Sequence, residues 1–283
     1  VQTCALPIFV IDNFSSGNIE NLKKIKNKIY IKKVDICNYN ALEKIFKKNN
    51  INCIFHLAGK ADIVPSIKNP KLYYDTNVTG TINLLELCRI YGIKKIIYTA
   101  SSTCYGIPKR FPTSETDKIT PMYPYALTKK MGEDLILHYG KVYKISAISL
   151  RLFNVYGPRS RTSGTYGAVM GVFLAQKINN YPLTIVGNGK QTRDFTFISD
   201  IIDAIFLIFK SKEKTVGTFN VGSGRTISVM TLAKKLSKKF IFIPKRPGEP
   251  DCTFANISKI KKYYKWKPKI NLDQGLNIIL KQI

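Results

Sequence analysis

Short apolar runs alternate with stretches of helical periodicity through the first half of the chain. Ile8–Ile11, Ile29–Lys33, Cys53–Leu57, Lys95–Thr99 and Ile145–Leu152 have the length and β-type character of strands. Between them Tyr39–Lys48, Lys71–Tyr91 and Tyr125–Tyr139 repeat apolar residues at helical spacing. Strand and helix in regular alternation predict an α/β fold with a doubly wound parallel sheet. Beyond Gly157 the regularity is lost. Gly and Pro become frequent from Gly157 to Gly189, a helix-like Asp200–Lys210 follows, a short strand returns at Thr218–Val221, and a Pro-rich stretch runs Pro244–Pro250. The pattern predicts an α/β domain over residues 1–156 and a smaller, partly discontinuous lobe over 157–283, with 196–222 returning to the first domain.

Composition narrows the chemistry. The chain has 283 residues and 45% hydrophobic content, enough to bury a core. No run of eighteen apolar residues occurs, and the longest candidate, Ile201 to Phe209, has the length of a buried helix segment rather than a membrane span. Six cysteines form no CxxC pair, so neither a disulfide framework nor a zinc site is expected, and a reducing cytoplasm fits this usage. With His56 and His138 the only histidines, a histidine metal centre or a Ser-His-Asp triad is not expected. The net charge of +27 raises the question of nucleic acid. Most of the excess is Lys dispersed along the whole chain, and the clusters Lys23–Lys28 and Lys259–Lys265 read as solvated faces, which argues against a nucleic-acid stripe.

Two constellations carry chemistry. Asp12, followed by Asn13, ends an apolar strand, where a dinucleotide fold places the carboxylate that binds an adenosine ribose. In such folds that acid lies roughly twenty residues after a glycine-rich loop. Val1 to Pro7 contains no glycine and too little chain precedes Asp12, so the loop and its strand are expected to be missing. The second constellation is Ser101-Ser102, ending a strand, and Tyr125 with Lys129 one helical turn on. An ammonium beside a phenol favours phenolate, which makes the Tyr usable as a general base. Tyr91/Lys95, Tyr105/Lys109 and Tyr263/Lys267 share the spacing, but only Tyr125 opens a clear helix, just after Pro124.

Phe55-His56-Leu57-Ala58-Gly59, Asn77-Val78-Thr79-Gly80, Ser101-Ser102 with Tyr105-Gly106, Tyr125 with Lys129, Arg151 to Gly157 and Gln191 to Phe195 follow one another in a characteristic order. From about Phe9 to the C-terminus the chain resembles the extended short-chain dehydrogenase/reductase family, and within it the nucleotide-sugar 4-epimerases of the UDP-glucose type. The resemblance implies a Rossmann-like domain binding NAD and a lobe binding a UDP-sugar substrate, in an expected homodimer. It aligns Asp12, Asn13, Asp35, Ile36, Ala58, Asn77, Tyr125, Lys129 and Phe153 with NAD-contacting positions, and Ser101, Asn154, Arg193, Arg246 and Glu249 with substrate-contacting ones. Tyr125 would be the base that takes the sugar 4-hydroxyl proton while C4 gives hydride to NAD, leaving a 4-keto sugar that rotates before reduction from the other face. Lys129 would tune the phenol and anchor the ribose; Ser101, with Ser102 as neighbouring candidate, would bind the 4-oxygen. Related 4,6-dehydratases carry an Asp-Glu pair where this chain has Ser102-Thr103, which disfavours elimination. Thr253 aligns with a position where a bulky Tyr restricts the sugar, so room for an N-acetyl group is expected. Alternatives are a UDP-uronate epimerase or decarboxylase, an inactive fragment, and an RNA-binding relative.

Overall fold

The computed structural model describes residues 7–160, 169–245 and 249–282. The predicted strands form at the predicted places: β1 (Phe9–Asp12), β2 (Tyr30–Lys33), β3 (Cys53–His56), β4 (Lys95–Ser101) and β5 (Ser146–Leu152). All their pairings are parallel. β1 pairs with β2 from Phe9↔Tyr30 to Asp12↔Lys33, while β3, β4 and β5 form a second sheet in that order. Among the described residues no strand hydrogen-bonds β1 to β3, so the sheet is split there.

Side chains alternate across β4 because the strand period is two. Ile96, Tyr98 and Ala100 face a core with Leu42 and Phe46 of α1 (Tyr39–Lys48) and, further along the chain, Leu84, Leu85 and Ile136. Ile97 faces the other way, joining Ile148 and Leu150 of β5 against Ile201, Ile205 and Ile208. Helices therefore cover both faces of the larger sheet.

The helix predicted over Lys71–Tyr91 is three segments end to end. After the short α2 (Ile63–Lys68), α3 (Pro70–Tyr74) starts on Pro70 with Asn69 as its cap, a π-helical turn spans Asp75–Thr79, and α4 (Gly80–Ile90) continues it. Thr81 Oγ donates to the Asn77 carbonyl at 2.6 Å, giving that oxygen a side-chain partner at the widened turn. Such π-turns occur frequently at functional sites. The periodicity of apolar residues does not distinguish them, because the extra residue shifts the pattern by only one position.

α5 (Pro124–Val142) lies on β4 and β5. The chain then forms β6 (Val155–Tyr156), α6 (Val169–Ile178), β7 (Leu183–Val186), β8 (Thr192–Arg193) and β9 (Thr196–Phe197). α7 (Ile198–Lys210) returns to the larger sheet, and β10 (Val216–Val221) extends it beyond β5. The remainder comprises β11 (Ile227–Ser228), α8 (Val229–Leu236), β12 (Phe240–Ile243), α9 (Ser258–Tyr264) and α10 (Leu272–Leu280). Phe173, Leu174, Leu183, Ile185, Leu232, Leu236, Leu276 and Ile279 make the core of this part. Two buried contacts tie α7 to the C-terminal segment: Trp266 Nε1 donates to the Asp200 carbonyl, and the Asp200 carboxylate accepts from the Lys269 and Ile270 amides. No described helix is long and apolar enough to cross a membrane.

Candidate active site

β4 ends at Ser101, and the chain turns at once into a 3-10 helix, Ser102–Tyr105. Gly106 ends that turn at φ +65°, where a Cβ would stand 2.0 Å from the Thr120 carbonyl oxygen, so only glycine closes it without moving the backbone. The turn faces the first turn of α5. There Tyr125 and Lys129 lie on one face, both buried, at 8% and 6% exposure. Burial pushes the Tyr125 phenol up, and hydrogen bonds with the Ser101 and Thr103 side chains act against it. Ser101 and Thr103 are thus brought to Tyr125. Ser102, named beside Ser101 from sequence, is not among the groups that act on the phenol, whereas Thr103 is, its Oγ donating to Ser101 Oγ at 2.9 Å. Sequence alone identified Thr103 only as the absence of an acid.

Lys129 is held without a carboxylate partner among the described ion pairs, and burial lowers its ammonium to about 8. Its Nζ lies 4.6 Å from the centre of the Tyr98 ring, an arrangement that favours the charged form in partial compensation. Asn77 projects from the π-turn, fully engaged: Oδ1 accepts from the Lys60 amide at 2.7 Å, and Nδ2 donates to the Lys60 carbonyl and to Thr128 Oγ, both at 3.0 Å. It therefore ties the loop after β3 to α5 one residue from Lys129. Ala58, half-buried in that loop, packs against the α/β core.

A buried polar network supports the turn from below. Arg151 of β5 grips Glu133 of α5 with two bonds, Nε to Oε2 at 3.0 Å and Nη2 to Oε1 at 2.6 Å. Its Nη1 donates to the Tyr105 hydroxyl at 2.7 Å, which donates to Asn220 Oδ1 of β10 at 2.7 Å. Bidentate geometry and satisfied neighbours make such a pair a positioning device. Phe153, 2% exposed, packs against Tyr105.

At the other end Asp12 Oδ1 accepts from the Phe14 amide, and Asn13 Nδ2 donates to Asp35 Oδ2 at 2.7 Å. The Cys37 amide holds the Asp35 carboxyl below its usual range, aided by Asn13. Ile36 is a core residue at 6% exposure, its carbonyl accepting from Asn83 Nδ2 at 2.9 Å.

Between β5 and β6, next to the second lobe, Asn154 sits at φ +25°, a strained backbone for a non-glycine residue. Its Nδ2 donates to the Asp194 carbonyl at 3.1 Å and to Thr253 Oγ at 2.8 Å. Arg193 Nη2 pairs with Glu249 Oε1 at 2.7 Å. Glu249 also lines a cavity of about 320 Å³ with Val186, Lys190, Gln191, Lys245 and Asp251. Asn154, Arg193, Glu249 and Thr253 therefore share one region; Arg246 lies outside the described residues.

These residues fit the two ends of NAD. A Cβ on Gly59 would fall 3.0 Å from Asn77 Oδ1 and 3.4 Å from Lys129 Nζ, so the missing side chain leaves a polar cradle beside a buried ammonium. That cradle suits ribose hydroxyls, and the Asp12, Asn13 and Asp35 cluster at the ends of β1 and β2 suits the adenosine end. Among the described residues no glycine-rich loop bridges the two ends.

The family model described as GDP-mannose 4,6 dehydratase matches residues 7–279. The chain is 35% identical to the UDP-glucuronate 4-epimerase of Thermodesulfobacterium geofontis over 271 residues, 91% of this chain and 80% of that protein. The structure of UDP-glucose 4-epimerase from Thermotoga maritima with UDP-glucose superposes at a TM-score of 0.90 with 29% identity, covering 97% of this chain and 90% of that one. UDP-glucuronic acid 4-epimerase from Bacillus cereus, in complex with UDP-glucuronic acid and NAD, superposes at 0.87 with 31% identity, covering 98% and 92%. With its paired hydroxyls and Tyr125/Lys129 at the end of β4, this chain belongs to the NAD-dependent epimerase/dehydratase family that the matched family model describes.

Proposed function

We propose that the protein is an NAD-dependent 4-epimerase of a UDP-hexose. The observation that carries this reading is the junction of Ser101, Thr103 and Tyr125 one turn before buried Lys129, with hydroxyls and no carboxylate at positions 102 and 103. A base without a neighbouring acid suits removal and return of one proton and does not suit elimination of water. NAD, when bound, supplies the acceptor and then the donor of the hydride at C4. Tyr125 receives the 4-hydroxyl proton and later returns it, Ser101 hydrogen-bonds the same oxygen, and Lys129 raises the phenolate fraction while holding ribose. Asn77, Ala58 and the Asp12, Asn13, Asp35 and Ile36 segments line the cofactor's path, with Phe153 beneath it. Arg193, Arg246, Glu249 and Asn154 hold the nucleotide and the sugar, leaving the keto sugar free to turn.

The small Thr253, tied to Asn154, supports acceptance of UDP-N-acetylhexosamines as well. A second reading, a UDP-uronate as substrate, is favoured by the relatives named for UDP-glucuronate. Incubation with UDP-galactose, UDP-N-acetylglucosamine and UDP-glucuronate in millimolar NAD, with products resolved by chromatography, decides among them. Epimers without loss of water or carbon dioxide are expected; a 4-keto-6-deoxy or pentose product refutes the proposal.

A further inference from the structure

His56 ends β3, is 2% exposed, and takes no part in the proposed reaction. Its Nε2 stands 2.8 Å from Thr81 Oγ. Thr81 in turn donates its only hydroxyl proton to the Asn77 carbonyl at 2.6 Å, and a carbonyl can only accept. The proton between His56 and Thr81 therefore belongs to Nε2, which leaves Nδ1 bare. Burial, aided by the Lys129 ammonium, lowers the imidazolium to about 3, so the ring stays neutral. Among the described residues the buried Nδ1 has no hydrogen-bond partner. An acceptor buried in this way costs stability that an apolar side chain would not, so the value of the ring lies in what Nε2 holds.

Nε2 holds the loop after β3. Residues 57–60 are tied to Asn77 at both ends: at the start through His56, Thr81 and the Asn77 carbonyl, and at Lys60 through its amide and carbonyl on the Asn77 side chain. Asn77 Nδ2 also reaches Thr128 Oγ, which donates to the Tyr125 carbonyl at 3.0 Å. Gly132 of α5 packs so near the π-turn that a Cβ there would stand 3.3 Å from the Asn77 carbonyl oxygen. Gly59, whose missing side chain opens the cradle against Lys129, lies between the two ties. We infer that His56 is a positioning residue for the cofactor's ribose: its Nε2–H fixes the Thr81 hydroxyl, the π-turn at Asn77 and so the place of the Gly59 cradle. This rests on the reading of that cradle as a ribose site of NAD.

The proton on the ring is read in the wild-type chain without substrate or cofactor. Two-bond proton–nitrogen correlations of the imidazoles, with His138 recognised by its loss in His138→Gln, should show His56 protonated at Nε2 and bare at Nδ1 across the neutral range. A proton on Nδ1 overturns the inference. His56→Leu removes the donor, and His56→Gln restores an Nε2 that reaches as far. The Asn77 side-chain amide resonances, assigned by their loss in Asn77→Asp, should move in His56→Leu and return in His56→Gln. In turnover of the UDP-sugar, KM for NAD should rise roughly tenfold in His56→Leu, the effect of about one hydrogen bond, and recover in His56→Gln. KM for the UDP-sugar and kcat should change little, a split that a general loss of structure does not produce. Unmoved Asn77 resonances, or Leu and Gln alike in KM for NAD, overturn the inference. If His56→Leu does not fold, Thr81→Val against Thr81→Ser makes the same comparison. Should wild type turn over no UDP-sugar, the epimerase reading fails, and the imidazole and Asn77 resonances decide whether His56 holds the turn.

Discussion

Tyr125 and Lys129 are two buried groups pushed in opposite directions by one cause. Burial raises the phenol and lowers the ammonium to about 8, so the free site holds both nearer to neutrality than water would. Tyr125→Phe should reduce turnover by roughly 10²–10⁴-fold, the usual range for a lost general base, while UDP-sugar binding stays nearly unchanged. Stopped turnover assays alongside calorimetric titration with the nucleotide check both halves, and turnover within a few-fold of wild type rejects the assignment. Lys129 makes a prediction about stability. Its folded value, about 8, lies below the ordinary 10.5. Below pH 8 the ammonium is charged in both states and burial destabilises the fold in full. Between about 8 and 10.5 the unfolded chain binds a proton that the folded chain has released, so stability rises with pH. Lys129→Met, measured in the absence of cofactor, should therefore gain about 3 kcal/mol over wild type at neutral pH and lose that advantage toward pH 10.5. Urea unfolding at several pH values tests the sign; a constant gap across this range contradicts it. The Tyr125/Lys129 pair was legible in sequence because Pro124 marks a helix start and the spacing is one turn. Thr103 was not, because which of two adjacent residues faces the phenol is set by a 3-10 turn that no periodicity encodes.

At the scale of elements, α5 is held to the sheet by buried polar side chains as well as by the apolar packing of Ile136. Glu133 and Arg151 are 1% and 5% exposed, and Ser149 Oγ adds a third bond to Glu133 Oε2 at 2.8 Å. Arg151→Met leaves that buried carboxylate with the Ser149 hydroxyl and, at 3.8 Å, the Lys130 ammonium, and should cost about 3 kcal/mol. Adding Glu133→Met should recover much of the loss, since an apolar pair incurs no desolvation cost. A double-mutant cycle by denaturant unfolding reads the coupling directly; additive effects would show that the pair does not act as a unit. The alternation of strands and helices before Gly157 was readable because both faces of a parallel sheet impose continuous apolar runs. Of the later elements α7 and β10 were read, at Asp200–Lys210 and Thr218–Val221, whereas β6, β8, β9 and β11 have two residues each, too short for any period to show. The π-turn at Asp75–Thr79 was hidden inside a helix correctly placed as a whole.

At the scale of the molecule, the parallel sheet of the described residues is split between β1 and β3, with Phe55 and Leu57 43% and 58% exposed beside the break. The residues suited to NAD stand on both sides of it. Asp12, Asn13 and Asp35 follow β1 and β2, while Gly59, Asn77, Tyr125 and Lys129 follow β3 or pack on the larger sheet. A dinucleotide joining these ends must lay its pyrophosphate over the break. A hydrogen bond from Lys60 Nζ to Ser15 Oγ at 3.0 Å crosses it there, and Asn83 Nδ2 to the Ile36 carbonyl and Cys37 Sγ to the Asp75 carbonyl join the two parts beyond β2. Pyrophosphates are ordinarily received by a glycine-rich turn and the amides of a helix N-terminus, and no such unit is described over the break. Residues 1–283 alone are therefore expected to bind NAD more weakly than micromolar, the adenosine and nicotinamide ends being held on two sheets that no strand among the described residues joins. Calorimetric titration of that polypeptide with NAD, beside a chimera that places a strand, glycine-rich turn and helix ahead of β1, makes the test. Micromolar or tighter binding by residues 1–283 would show that the break is bridged by the chain itself. Binding gained only in the chimera would locate the deficit in the pyrophosphate cradle, because every other cofactor-facing residue is common to both proteins.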